Sequence, residues 1–159
     1  MSTPQPRVAT MPPTLQNPLG YQMYEDFFVY TATFTGLAAA AVQTQNIQIQ
    51  ADSAFKWTMA SMECDLAGAA YTEDATPVPL CALQISDSGS GRQLFSSAVP
   101  LPAIFGSGKL PFVLPQPRGF MPNSNISLQL TNFSAASTYT VRLALIGTKV
   151  FAGGGRVPG

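Results

Sequence analysis

A strict alternation of apolar and polar residues near the C-terminus sets the strongest limit on what this chain can fold into. Across residues 138–147, Tyr139, Val141, Leu143 and Leu145 recur at period two. That spacing puts them on one face of a strand, whereas a helix needs a period of 3.6. The same template recurs upstream. Residues 43–50 set Ile47 and Ile49 against Gln48 and Gln50, and residues 54–64 set Phe55, Trp57 and Met59 against Lys56, Thr58 and Ala60. Residues 26–35 are rich in aromatic and β-branched side chains, and residues 80–86 and 125–133 complete the set. Residues 36–42 are Ala-rich, enough for one helical turn but too short for a helix stable by itself.

Turn chemistry separates these runs. Asp87-Ser88-Gly89-Ser90-Gly91 reads as a hairpin loop, and residues 122–125 and 132–137 read as further turns. About six to eight strands at roughly ten-residue spacing predict an all-β fold, an antiparallel β-sandwich of jelly-roll-like form. The chain has 159 residues, which fits one domain. We place the sandwich at residues 21–151, preceded by an extended arm at 1–20 and followed by a flexible tail at 152–159 that carries Gly153-Gly154-Gly155. The arm holds Pro4, Pro6, Pro12, Pro13 and Pro18, which fix φ and remove donors, so it is neither strand nor helix. Its apolar residues Val8, Met11, Leu15 and Leu19 are candidates to dock into a neighbour's groove; a disordered terminus has the same composition.

Residues 100–122 stand apart. Six prolines sit there among Leu101, Ile104, Phe105, Leu110, Phe112, Val113, Leu114 and Phe120. A central strand does not tolerate this, but a buried loop or an edge segment pressed against a partner does. Leu101, Ile104, Phe105, Phe112, Leu114 and Phe120 therefore join Val8, Met11, Leu15 and Leu19 as candidate protein-interface residues.

Charge narrows the function classes. Only 10% of residues are charged, eight basic and eight acidic, for a net charge of zero. On the usual surface scaling a monomer of this size exposes roughly 7,600 Å², or about one charge per 480 Å². Such a surface either is covered by other subunits or is made of Ser, Thr, Gln and Asn. No basic block marks a nucleic-acid partner. The most apolar run, residues 36–42, is too short to span a bilayer, and residues 1–20 contain no apolar core of a secretory signal. Without an export signal, Cys64 and Cys81 read as reduced core residues; a disulfide between them would need an oxidising medium.

The catalytic inventory is short. The chain has no histidine, which removes the usual general base and the commonest metal ligand. The pairs Glu25-Asp26 and Glu73-Asp74, and Glu63 and Asp65 around Cys64, read as solvated turn carboxylates. We expect no catalytic residues, no cofactor and no metal site. Phe27, Phe28, Tyr30, Phe34 and Trp57 at strand spacing read as core; exposed, they would make a sugar-binding platform.

Residues 83–151 also carry a resemblance. The turn from Ile85 through Asp87-Ser88-Gly89-Ser90-Gly91-Arg92, the Phe105-Gly106 pair, Leu110-Pro111-Phe112, Leu114-Pro115, Pro117-Arg118, Pro122-Asn123-Ser124 and the closing Ile146-Gly147 and Lys149-Val150-Phe151 resemble small virion structural proteins of tailed bacteriophages, of the capsid decoration or cement type. These are turn and packing motifs, and they bring no catalytic residues with them. The resemblance implies a β-sandwich bound to the outside of a capsid, with the major capsid protein as partner and self-association as a dimer or trimer. It implies synthesis in the host bacterial cytoplasm and a final place on the virion. The alternative within reach of the sequence is a carbohydrate- or receptor-binding β-sandwich of a head fibre or tail, or a neck or tail connector.

Overall fold

The computed structural model of the protein describes residues 23–67 and 77–152. The regular structure of the described chain is nearly all antiparallel β-strand, in two facing sheets. The first sheet takes strands in the order β1 (Met23–Leu37), β9 (Tyr139–Ala152), β3 (Ala54–Leu66) and β7 (Phe112–Phe120). The second takes β2 (Val42–Gln48), β8 (Asn125–Asn132) and β4 (Cys81–Asp87), with the short β5 (Arg92–Gln93) and β6 (Val99–Pro100) sharing the outer side of β4. A single turn of helix, α1 (Leu101–Ile104), follows β6.

The ladders have a simple logic. β1 pairs with β9, β2 with β8, β3 with β7, and β4 with β5 and β6. The midpoint of every such pair falls within residues 86–91. The chain is therefore one long antiparallel ribbon, doubled back at the Ser88–Gly91 turn and rolled up so that β9 also meets β3 and β8 also meets β4. That strand order is the jelly roll the alternation predicted. All six sequence-predicted runs are strands. The Ala-rich run forms no helical turn: Gly36 and Leu37 end β1, Val42 begins β2, and residues 38–41 make a turn between them, with Gly36 at φ 61° and Ala40 at φ 57°, the left-handed region in which a helix cannot continue.

The core lies between the sheets. Val141, Leu143 and Leu145 of β9 share one hydrophobic cluster with Ile126, Leu128 and Leu130 of β8, all essentially buried. An aromatic chain runs through it from β1 to α1: Phe28 to Tyr30, Tyr30 edge-on to Phe55 at 4.8 Å, Phe55 stacked on Phe120 at 6.4 Å, Phe120 to Trp57, and Trp57 to Phe105 at 6.3 Å. Cys64 and Cys81 are free and buried in the same core, as expected. Burial pushes the Cys64 thiol up to about 12 and the Cys81 thiol up to about 11, with the nearby Cys81 adding to the effect on Cys64.

One expectation about phase needs correcting. The alternation in β3 put Met59 with Phe55 and Trp57 and set Ala60 on the other face. In the structure Trp57 pairs with Gly147 and Met59 with Ile146, so Thr58 is an extra residue opposite β9. This β-bulge shifts the phase by one: Ala60 turns into the core and Met59 turns out.

Candidate functional site

β7 carries Pro115 and Pro117 of the proline-rich segment 100–122, and its place explains how a strand tolerates them. It is the edge of the first sheet, where a missing N–H costs least. Its ladder with β3 breaks between Val113 and Arg118, where four residues, Leu114 to Pro117, oppose Thr58 alone. Pro115 and Pro117 sit in that bulge and leave no ladder donor wanting.

The edge of the second sheet faces it. Between β7 and the segment after β5 lies a groove of about 430 Å³, walled by Leu94, Phe95, Ile104, Phe112 and Leu114, with Trp57 at its base. Arg118 crosses its end. The guanidinium donates to Ser90 Oγ at 3.2 Å and lies 3.7 Å from the buried Asp87 carboxylate. Asp87 in turn accepts the Gly89 N–H at 2.9 Å and the Ser90 hydroxyl at 2.7 Å. Asp87 thus organises the ribbon's apex and anchors Arg118 from the opposite sheet. The Arg118 Nε–H is buried and, among the described residues, has no acceptor. The groove thus offers apolar walls.

The structure sorts the candidate interface residues into three groups. Val8, Met11, Leu15 and Leu19 lie outside the described residues. Ile104, Phe112 and Leu114 come together as half-buried walls of the groove. Leu101, Phe105 and Phe120 are at most 2% exposed and belong to the chain's own core, so in this fold they offer no surface to a partner. The apolar side chains that segment 100–122 does expose include Leu110, 79% exposed, and Met121, 62% exposed. Burial alone separates the second group from the third; all are bulky apolar residues of one proline-rich segment.

A sugar platform does not form from the strand aromatics. Tyr30, Phe34 and Trp57 are core, Phe28 is half-buried, and Trp57 donates its indole N–H to the Met59 carbonyl at 2.7 Å. Of the five, Phe27 alone is exposed. Asn132, in one of two sequence matches to a glycosylation acceptor, is fully buried and donates to the Leu37, Ala38 and Ser137 carbonyls. Among the described residues no three His, Cys, Asp or Glu side chains gather as a metal would require, and no helix is long and apolar enough to cross a membrane.

No protein-family model matches the chain, and no curated protein matches it. A solved structure described as the cyanophage Pam1 capsid asymmetric unit is 18% identical to it, with 96% of this chain and 97% of that one covered, at a TM-score of 0.40. A likeness that slight carries no argument about fold or function.

Proposed function

We propose that the chain is a non-catalytic structural protein of a phage virion, which binds the outer surface of the capsid and stabilises the shell as a decoration or cement protein. The observation that carries this reading is the apolar margin of a charge-poor jelly roll. Leu110 and Met121 are exposed before and after β7, whose Phe112 and Leu114 wall the groove together with Ile104. Covering such side chains contributes about 25 cal/mol per Å² at each copy. A shell binds many copies, so a modest contact suffices. The resemblance of residues 83–151 to decoration proteins supports the same reading. In this proposal the major capsid protein fills the groove, and the arm with Val8, Met11, Leu15 and Leu19 adds a second contact.

The test uses purified particles of the virus that encodes the chain. Quantitative mass spectrometry should find the protein in fixed ratio to the major capsid protein. Leu110→Glu, at an exposed position, and deletion of residues 1–20 should each lower occupancy when added to particles stripped of the protein. Absence from particles, or full occupancy by both variants, would refute the proposal.

A further inference from the structure

The bulge at Thr58 has a consequence on the outer face of the first sheet. Val29 pairs with Ile146, Ile146 with Met59, and Met59 with Val113. One hydrogen-bonded row thus carries an apolar side chain on each of the sheet's four strands. The row faces away from the core, and none of its members packs against the core. Val113 is 64% exposed, and Phe27, in the next outward-facing row, is 74% exposed. On the other side of the apolar row lies a row of small residues, Thr31, Ala144 and Ser61. Ionic groups flank both. Lys56 and Glu25 pair at 3.4 Å on the Phe27 side. On the Ala144 side Arg142 pairs with Asp65 at 2.6 Å and with Glu63 at 3.9 Å.

We propose that this face is a two-fold interface between two copies of the chain. The axis would run across the strands, between the apolar row and the small-residue row. That operation lays each copy's Val29–Ile146–Met59 row onto the partner copy's Thr31–Ala144–Ser61 row, large side chains over small. It keeps β3 over β3 and reverses its direction, so Lys56 of each copy meets Glu63 of the other. It also brings Glu25 on β1 toward Arg142 on the adjacent β9 of the second copy. A two-fold interface must be self-complementary, and this face is so in both shape and sign of charge. Its size is adequate. Three strands of about 40 Å and the shorter β7 at about 20 Å, with about 4.8 Å spacing, give roughly 670 Å², within the range around the roughly 800 Å² per partner of a standard stable interface. This surface is distinct from the groove and does not depend on the capsid reading.

The test is sedimentation equilibrium of the full chain with three variants. The native protein should be dimeric at micromolar concentration. Ile146→Glu, on the outer face, should weaken dimerisation at least tenfold while leaving the far-UV circular dichroism unchanged. Lys56→Glu and Glu63→Lys should each be monomeric alone, through like charges at the two-fold contact. Mixed in equal amounts they should form a heterodimer by native mass spectrometry, because both cross-contacts are then of opposite sign. A native protein that stays monomeric at 100 μM (about the upper limit for a specific dimer of this size), a dimer or trimer insensitive to Ile146→Glu, or a mixture of the two charge variants that stays monomeric would each overturn the proposal.

Discussion

Replacing Gly147 by alanine tests the central feature of the fold, the close crossing of β9 and β3 at the bulge. A β-carbon at Gly147 would overlap the Lys56 carbonyl oxygen, and would lie 2.9 Å from the Lys56 carbonyl carbon and 3.0 Å from the Trp57 Cα. All three obstacles are backbone, so no side-chain rotation relieves them. β3 must move away from β9, between two strands in the middle of a four-stranded sheet. That displacement weakens one or two ladder hydrogen bonds, at about 1 kcal/mol each. It also loosens Phe55 and Trp57, whose complete removal would cost about 3–5 kcal/mol each. We expect a loss of about 3 kcal/mol in urea unfolding, or roughly 6–12 °C in Tm for a chain of this length. Gly119→Ala is the control. Gly119 pairs with the same Lys56 from the other side, and a β-carbon there meets nothing within 4 Å. It should change stability by less than about 1 kcal/mol, with a small gain from reduced unfolded-state freedom. If both variants unfold within 1 kcal/mol of the native protein, the tight crossing is not what fixes the bulge, and the phase shift in β3 needs another cause.

Two further predictions follow from buried polar chemistry. Asp87→Ala should cost about 2–3 kcal/mol, since it strands the Gly89 N–H and the Ser90 hydroxyl and releases the partly exposed Arg118; Asp87→Asn keeps an acceptor for Gly89 and should recover about half of that in denaturant titrations. The cysteines set an alkaline limit. Folded thiols that titrate near 11 and 12, against an ordinary 9.0, keep their protons while unfolded ones lose them. Stability is thus intact below pH 9 and falls as pH rises toward 11–12, by up to about 1.4 kcal/mol per pH unit per thiol. Cys64→Ala with Cys81→Ala should flatten that slope, and an unchanged slope would mean the thiols are not responsible.

The sequence by itself determined the strands. Period-two apolar spacing in residues 43–50, 125–133 and 138–147 is a local property, because it places each side chain relative to its own backbone. The hairpin at Ser88–Gly91 was legible for the same reason: Asp87 bonds within its own turn, and Gly91 adopts φ 63°. The number and spacing of those strands pointed to a jelly-roll-like sandwich; the order in which they pair is decided by contacts across the chain. What only the tertiary structure decided is which apolar residues are left outside. Met59 faces outward because β3 carries Thr58 as an extra residue opposite β9, at the point where Gly147, far along the chain, lies close against Lys56. Leu101, Phe105 and Phe120 are core, whereas Leu110 and Met121 are surface: α1, the residue after it and the end of β7 pack inward, and the residues just before and after β7 do not. Arg118, which lines the groove, meets Asp87 from the opposite sheet, a contact between residues far apart along the chain. Strand identity is written in neighbours along the chain. The surfaces available for binding are set by neighbours across it, where one extra residue in a ladder reverses which face a side chain takes.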